Sequence, residues 1–391
     1  MNVQLRVFSA RWILPVSSPP INGGWVRLRG NEIIELGQGR APVDANDLGD
    51  VAILPGLVNA HTHLEFSDCT EPIGESGVVL NDWIGQVIHA RGATTAESKR
   101  AAIDMGLRES VNAGVRLIGE ITTTPCEYPD AAVDLIAFAE VLGLSKERSE
   151  ERFAAALAHN SHNTNGGWSP HAPYSTSREM IGDCIAEACC QNRMVAMHVA
   201  ESPGERELLE SGTGPFAETL RAIGVWQQDL FPWGSDPTGQ LLQQLSKAPR
   251  ALVVHGNDLL ADEIGVMADQ PQMTVVYCPR THAFFQHRPH PVLAMHDAGV
   301  RVALGTDSRA SNPDLCIWGE VQHLLNHRQD IEPNQVVAMA TLHGADAFGR
   351  RDLGRLEVGC QPGLVSVATN AADQPGLYRD LASSDGCRPV G

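Results

Sequence analysis

The stretch ILPGLVNAHTHLEF, residues 53–66, decides how the rest of the chain is read. An apolar run that begins at Val51 ends in His61-Thr-His63. Residues two apart on a strand share a face, so both imidazoles leave the strand end together. Two neutral imidazoles converging in this way make half of a transition-metal site. Three further apolar runs end in a residue that such a site needs: Val195 to His198, Ala251 to His255 and Val300 to Asp307. Four candidate strands that each deliver such a side chain at the C-terminal end form the pattern of a parallel barrel, where chemistry sits at that end of the sheet.

Working outward, apolar runs alternate with helical periodicity. The spacing predicts strands over 52–60, 115–122, 135–142, 166–170, 194–199, 251–255, 273–278 and 300–305. It predicts helices over 95–113, 146–159, 176–191, 204–223, 237–247, 259–269, 289–298 and 313–328, the first opened by a Thr94-x-x-Glu97 capping box. Eight strand–helix alternations in roughly 300 residues suit an α/β chain built on a distorted (β/α)8 barrel, a fold of about 250 residues. Short alternating runs broken by Gly, Pro and Asn fill residues 1–50, and Gly354–Gly359 and Gly363–Ala368 look similar. We therefore expect a small β-sandwich of residues 1–54 plus 351–391 beside a catalytic barrel of residues 55–350. The segment VWQQDLFPWGSDPTG, residues 225–239, reads as an irregular loop placed to cover a site.

Bulk composition narrows the function. The 391 residues are 43% hydrophobic and 19% charged, as in ordinary globular chains. Twenty-nine Lys and Arg against 47 Asp and Glu leave a formal charge of −18, which disfavours nucleic acid or an anionic membrane as the main partner. Nothing reads as an unbroken apolar span of about 18 residues, and the N-terminus lacks a signal peptide's apolar centre. The nine cysteines are scattered without a Cys-x-x-Cys pair, so reduced thiols in a cytoplasm are expected.

Three neutral histidines and a carboxylate suit Zn2+, with Fe2+ as the alternative, and leave room for water. The expected ligands are His61, His63, His198 and Asp307. A bound cation lowers the pKa of its water and creates a hydroxide nucleophile. Asp307 can take up the proton of that water. Glu201, three residues after His198, is placed to carry a proton to a ring nitrogen and then to the leaving group. His255 can hydrogen-bond the hydroxide or the tetrahedral centre. The only lysines, Lys99, Lys146 and Lys247, fall away from expected strand ends, which argues against a lysine-bridged pair of metals.

The motifs PGLVNAHTHLE (55–65), SPHAPYS (169–175), HVAES (198–202), VHGNDL (254–259) and LGTDSRASN (304–312) follow one another over some 260 residues. As a set they resemble the amidohydrolase superfamily, in its branch of single-metal deaminases and chlorohydrolases. The resemblance implies a distorted barrel with a β-sandwich built from both termini. It also implies proton-transfer roles for Glu201, His255 and Asp307, and a place for His171 near the substrate. Within that branch YCPRTHAFF (277–285) and RPHP (288–291) are most similar to deaminases of aminodeoxyfutalosine. Arg309 departs from the leucine commoner at its position.

The expected reaction is hydrolytic deamination of a purine-like N-heterocycle, with metal-bound hydroxide displacing ammonia. Displacement of chloride or an alkylamine from a triazine, or cyclic-amide hydrolysis, is the alternative. Arg280 and Arg309 are candidates to clamp an anionic arm of the substrate, such as that of aminodeoxyfutalosine or S-adenosylhomocysteine, or else to pair with acidic neighbours. Glu65 is a further candidate substrate contact. His282, His287 and His290 share one loop and read as solvated or substrate-facing. Glu205, Glu207 and Glu210 read as a solvated helix face. A small-molecule partner is expected, and a homo-oligomer is compatible with a barrel of this kind.

Overall fold

The computed structural model describes residues 4–92, 94–124, 126–227 and 230–391. The N-terminal strands are β1 (Leu5–Ile13), β2 (Ile21–Arg29), β3 (Glu32–Gln38), β4 (Asn46–Asp47) and β5 (Val51–Pro55). Eight parallel strands follow: β6 (Leu57–Thr62), β7 (Val115–Thr122), β8 (Asp134–Val141), β9 (Gly166–Pro170), β10 (Val195–Val199), β11 (Ala251–His255), β12 (Met273–Tyr277) and β13 (Val302–Leu304). Each pairs with its sequence neighbour, and a parallel bridge between Thr62 and Asp307 brings β13 back to β6. The amides of Thr306 and Asp307 both donate to the His61 carbonyl at 3.1 Å, and the Asn59 side chain bonds the amide and hydroxyl of Thr306.

The result is a (β/α)8 barrel. Its strands are near-continuous apolar runs because both faces are covered. Val58, Leu117, Ile121, Phe138, Ala196, Leu252, Val276 and Ala303 fill the interior. The residues of opposite parity, such as Leu57, Ile118, Trp168, Met197, Val253 and Val275, pack outward in the main core with the surrounding helices. The two ends of the chain build a separate mixed sheet in which β14 (Leu364–Ala368) runs antiparallel to β5 and to β15 (Cys387–Pro389).

Local differences from the sequence expectations have physical causes. The run 52–60 splits at Gly56, where a Cβ would stand 2.7 Å from the Pro362 carbonyl. Residues 51–55 join the terminal sheet and 57–62 the barrel. The helix expected over 204–223 is two, Pro203–Ser211 and Gly214–Ala222, because Gly212 turns left-handed at φ 66° and ends the first. The first long helix, Ala96–Asn112, is opened by a box of Thr95 with Ser98, not Thr94 with Glu97. Residues 354–359 form no strand; Leu356 and Gly359 donate singly to Pro15 and Ile33 carbonyls. The helices Leu80–Arg91, Pro279–Phe284 and Gln374–Ser383 were not expected. Of the 225–239 segment, Val225, Trp226, Leu230 and Phe231 join an apolar cluster around Tyr174 and Phe216, while 228–229 lie outside the described residues. Among the described residues no helix is long and apolar enough to cross a membrane.

Candidate metal and active site

The C-terminal ends of β6, β10, β11 and β13 place His61, His63, His198, His255, Glu201 and Asp307 together. Two overlapping groups of ligand atoms form, His61–His63–Asp307 and His61–His198–His255, each with its atoms within 4.8 Å of one another. The Nε2 atoms of His63 and His198 face each other at 3.3 Å. Asp307 Oδ1 lies 3.5 Å from His61 Nε2 and 3.7 Å from His63 Nε2. Its Oδ2 accepts from the Ser311 hydroxyl at 2.9 Å. Glu201 Oε1 stands 3.4 Å from His255 Nε2.

The backbone is bent to achieve this. Ala200, His255 and Asp307 adopt left-handed φ values of 51°, 71° and 55°. Such a conformation costs a non-glycine residue about 1–3 kcal/mol and persists only where surrounding bonds enforce it. His255 follows Ala251 and Val253, which face the outer core, yet its ring packs beside His198 at 5.4 Å. The positive φ is what turns it inward. Asn257 donates to the Glu201 carbonyl, and the His290 Nε2 group donates to the His255 carbonyl at 2.9 Å. Glu205 receives the amides of Ala200 at 2.7 Å and Glu201 at 3.1 Å. Buried Glu120 receives the Leu64 amide on both oxygens, which fixes the turn after His63.

Electrostatics matches this geometry. Burial, reinforced by the other imidazoles, holds His61 and His63 well below the ordinary histidine range and brings His198 to about 4. The rings are therefore neutral, with lone pairs available. Both ring nitrogens of His61 are sealed from solvent without a hydrogen-bond partner among the described residues. Orphaned buried nitrogens are rare in native proteins, and a cation explains the Nε2 that faces Asp307. His198 Nδ1 donates to the His171 carbonyl at 2.9 Å, which leaves Nε2 free to ligate. Burial, with the nearby charges of Asp307 and Glu205, raises Glu201 well above the ordinary carboxyl range. The donor set fits one divalent cation.

The other candidates separate. His171 lies beside the centre, 4.9 Å from the His198 ring, with Nδ1 on Ser175 Oγ at 2.6 Å. Arg280 is not available to a substrate: its guanidinium bonds Glu320, Asp314 and the Cys316 carbonyl. Arg309 is likewise tied to Glu109 and the Cys69 carbonyl. Glu65 ion-pairs with Arg91 and Lys99 and accepts from Thr123. His282 bonds the Arg288 carbonyl, and the three loop histidines form no ligand group among the described residues.

Three groups escaped the sequence reading. Arg91 closes the helix Leu80–Arg91 with its guanidinium 4.9 Å over the Phe66 ring, and its charge acts on His63 and His171. Glu205 is buried, not solvated like Glu207 and Glu210. Its signal was present, since Ser202-Pro-Gly-Glu205 is an N-cap followed by a glutamate three residues on. Glu140, inside the barrel, had no signal beyond its place at a strand end.

Comparison with known proteins agrees with the geometry. The chain is 28% identical over 363 residues to a 5-methylthioadenosine/S-adenosylhomocysteine deaminase of Halobacterium salinarum, covering 87% of this chain and 78% of that protein. It is 29% identical over 333 residues to an aminodeoxyfutalosine deaminase of Deinococcus radiodurans, covering 79% and 76%. The structure of Helicobacter pylori aminofutalosine deaminase with methylthio-coformycin shares the fold, with a TM-score of 0.86 at 20% identity over 98% of this chain and 100% of that one. The Amidohydrolase family model matches residues 52–386, spanning every strand end that builds the site, and the chain belongs to that family.

Proposed function

We propose that this protein is a metal-dependent aminohydrolase that removes the amino group of an adenosine-type purine as ammonia. The observation that carries the reading is the pair of donor groups sharing His61, whose buried Nε2 has no hydrogen-bond partner among the described residues. The ligands are His61, His63, His198 and Asp307, and zinc is favoured, with ferrous iron acceptable to the same donors. When bound, the cation supplies Lewis acidity that makes water nucleophilic near neutral pH.

The chain's own residues handle the protons. Asp307, oriented by Ser311, takes a proton from the attacking water. His255 steadies the oxygen that becomes bonded to the ring carbon. Glu201, whose pKa burial raises, donates its proton to the adjacent ring nitrogen, takes the second proton from the newly attached oxygen and passes it to the amino group, and is reset by the proton held on Asp307. One water is consumed; the ring carbon gains an oxo oxygen and ammonia departs. The amino group must gain a proton to leave as ammonia, whereas chloride leaves without one, so a carboxyl with a raised pKa favours deamination over chloride displacement.

His171, whose ring lies 4.9 Å from that of His198, is the further contact assigned to the heterocycle. We take residues 55–350 as the catalytic unit and 1–54 with 351–391 as its composite β-partner. The nine unpaired cysteines support a reducing, cytoplasmic setting. Reaction in heavy-oxygen water tests the proposal: the label should enter the ring oxo group as ammonia is released. Chloride release, or ring opening without ammonia, would replace it.

A further inference from the structure

Glu140 is the group that the mechanism leaves unexplained. It sits near the end of β8 with the parity of Phe138, whose ring packs inside the barrel. Its register partner on β9 is Ser169, which shares that inner face. Glu140 is 6% exposed, yet no hydrogen bond to its carboxylate is found among the described residues. The Ser169 hydroxyl is completely buried and also without a partner. One strand further round stands His198, and the charge of Glu140 is felt at the His198 and Tyr174 rings. An acceptor and a hydroxyl thus lie side by side on the inner wall of the barrel beside the metal centre, the hydroxyl sealed without a partner and the carboxylate with the charge of Arg91 nearby. A carboxylate with so little exposure and no side-chain hydrogen bond is costly to hold, and such groups persist where a ligand completes them.

We propose that Glu140 and Ser169 form a subsite that binds a hydroxyl of the substrate's sugar, with Glu140 as acceptor. The inference rests on the adenosine-type reading above. Adenine has one hydrogen-bond donor, the amino group that departs at the metal. Within the nucleoside itself, a second donor aimed at Glu140 must therefore come from the sugar.

The experiment compares wild type with Glu140→Gln, an isosteric change, on adenosine, 2′-deoxyadenosine and 3′-deoxyadenosine, with Tm and metal content alongside. A charge-assisted hydrogen bond predicts that one hydroxyl is worth about 10- to 100-fold in kcat/KM for wild type and nearly nothing in the variant. A strained functional carboxylate also predicts that Glu140→Gln raises Tm at unchanged metal content. Equal discrimination by both proteins would overturn the subsite while leaving the deaminase reading intact. A lower Tm in the variant would show that Glu140 holds the barrel together and would overturn it too. Silence of wild type on all three, and on methylthioadenosine, S-adenosylhomocysteine and aminodeoxyfutalosine as well, would instead remove the functional reading, and the sugar assignment with it.

Discussion

Arg280 and Glu140 show how the same question, whether a buried charge has a partner, separates structure from function. Arg280 is gripped by Glu320, which is fully buried, and by Asp314. Removing one side of such a pair strands the other charge, a loss of about 3–5 kcal/mol. Arg280→Ala should therefore lower Tm sharply and leave KM for adenosines unchanged in the fraction that folds. A raised KM with unchanged Tm would return Arg280 to the substrate pocket. The residues that gather at the candidate metal site could be picked out because a run of apolar residues ending in His or Asp has few other uses. The arginines could not. Sequence offers 47 acidic partners for every basic side chain, and only the fold selects Glu320 for Arg280 and Glu109 for Arg309. Glu140 was unreadable for the converse reason, because the lack of a partner is a property of the folded barrel alone.

At the scale of elements, the site depends on the seam where β13 meets β6. Gly305 lies in that seam. A Cβ there would stand 2.9 Å from the His61 carbonyl and 3.0 Å from its Cβ, so the backbone carrying His61 would have to move. Gly305→Ala should weaken metal binding about 10- to 100-fold, the scale expected when a ligand's support is disturbed. It should shift stability by only about 1–3 kcal/mol. Metal titration of the apoprotein checks this, and unaltered affinity would mean that the seam does not set the ligand geometry. The barrel strands were readable because strands buried on both faces are continuous apolar runs. Their borders were not, where single glycines decide: Gly56 divides one run between two sheets, and Gly212 divides one helix into two. The terminal sheet was legible from its alternation, except at 354–359, whose pattern resembles a strand but finds only isolated backbone bonds.

For the whole molecule, buried titratable groups make stability depend on pH from both sides. Burial pushes Glu205 up to about 7 from 4.5. Between those values the folded chain holds a proton that the unfolded chain has lost, so this contribution is present below pH 4.5 and is lost as pH rises through about 7. Burial pushes His290 down to about 3 from 6.5, so its contribution is present above pH 6.5 and is lost as pH falls through about 3. Urea unfolding of the apoprotein should show wild type losing ground to Glu205→Gln as pH rises from 4.5 to 7, and to His290→Gln as it falls from 6.5. Differences that stay flat with pH would contradict both assignments. The central claim, that this family member deaminates an adenosine-type ring through one metal and Glu201, is tested most directly by ammonia release. Zinc-loaded wild type and Glu201→Gln, matched for metal content, should be compared on adenosine, methylthioadenosine, S-adenosylhomocysteine and aminodeoxyfutalosine. The account predicts release from at least one substrate by wild type and a loss of about 100- to 10,000-fold in the variant. Release that survives in Glu201→Gln, or none from metal-replete wild type on any of the four, would contradict it.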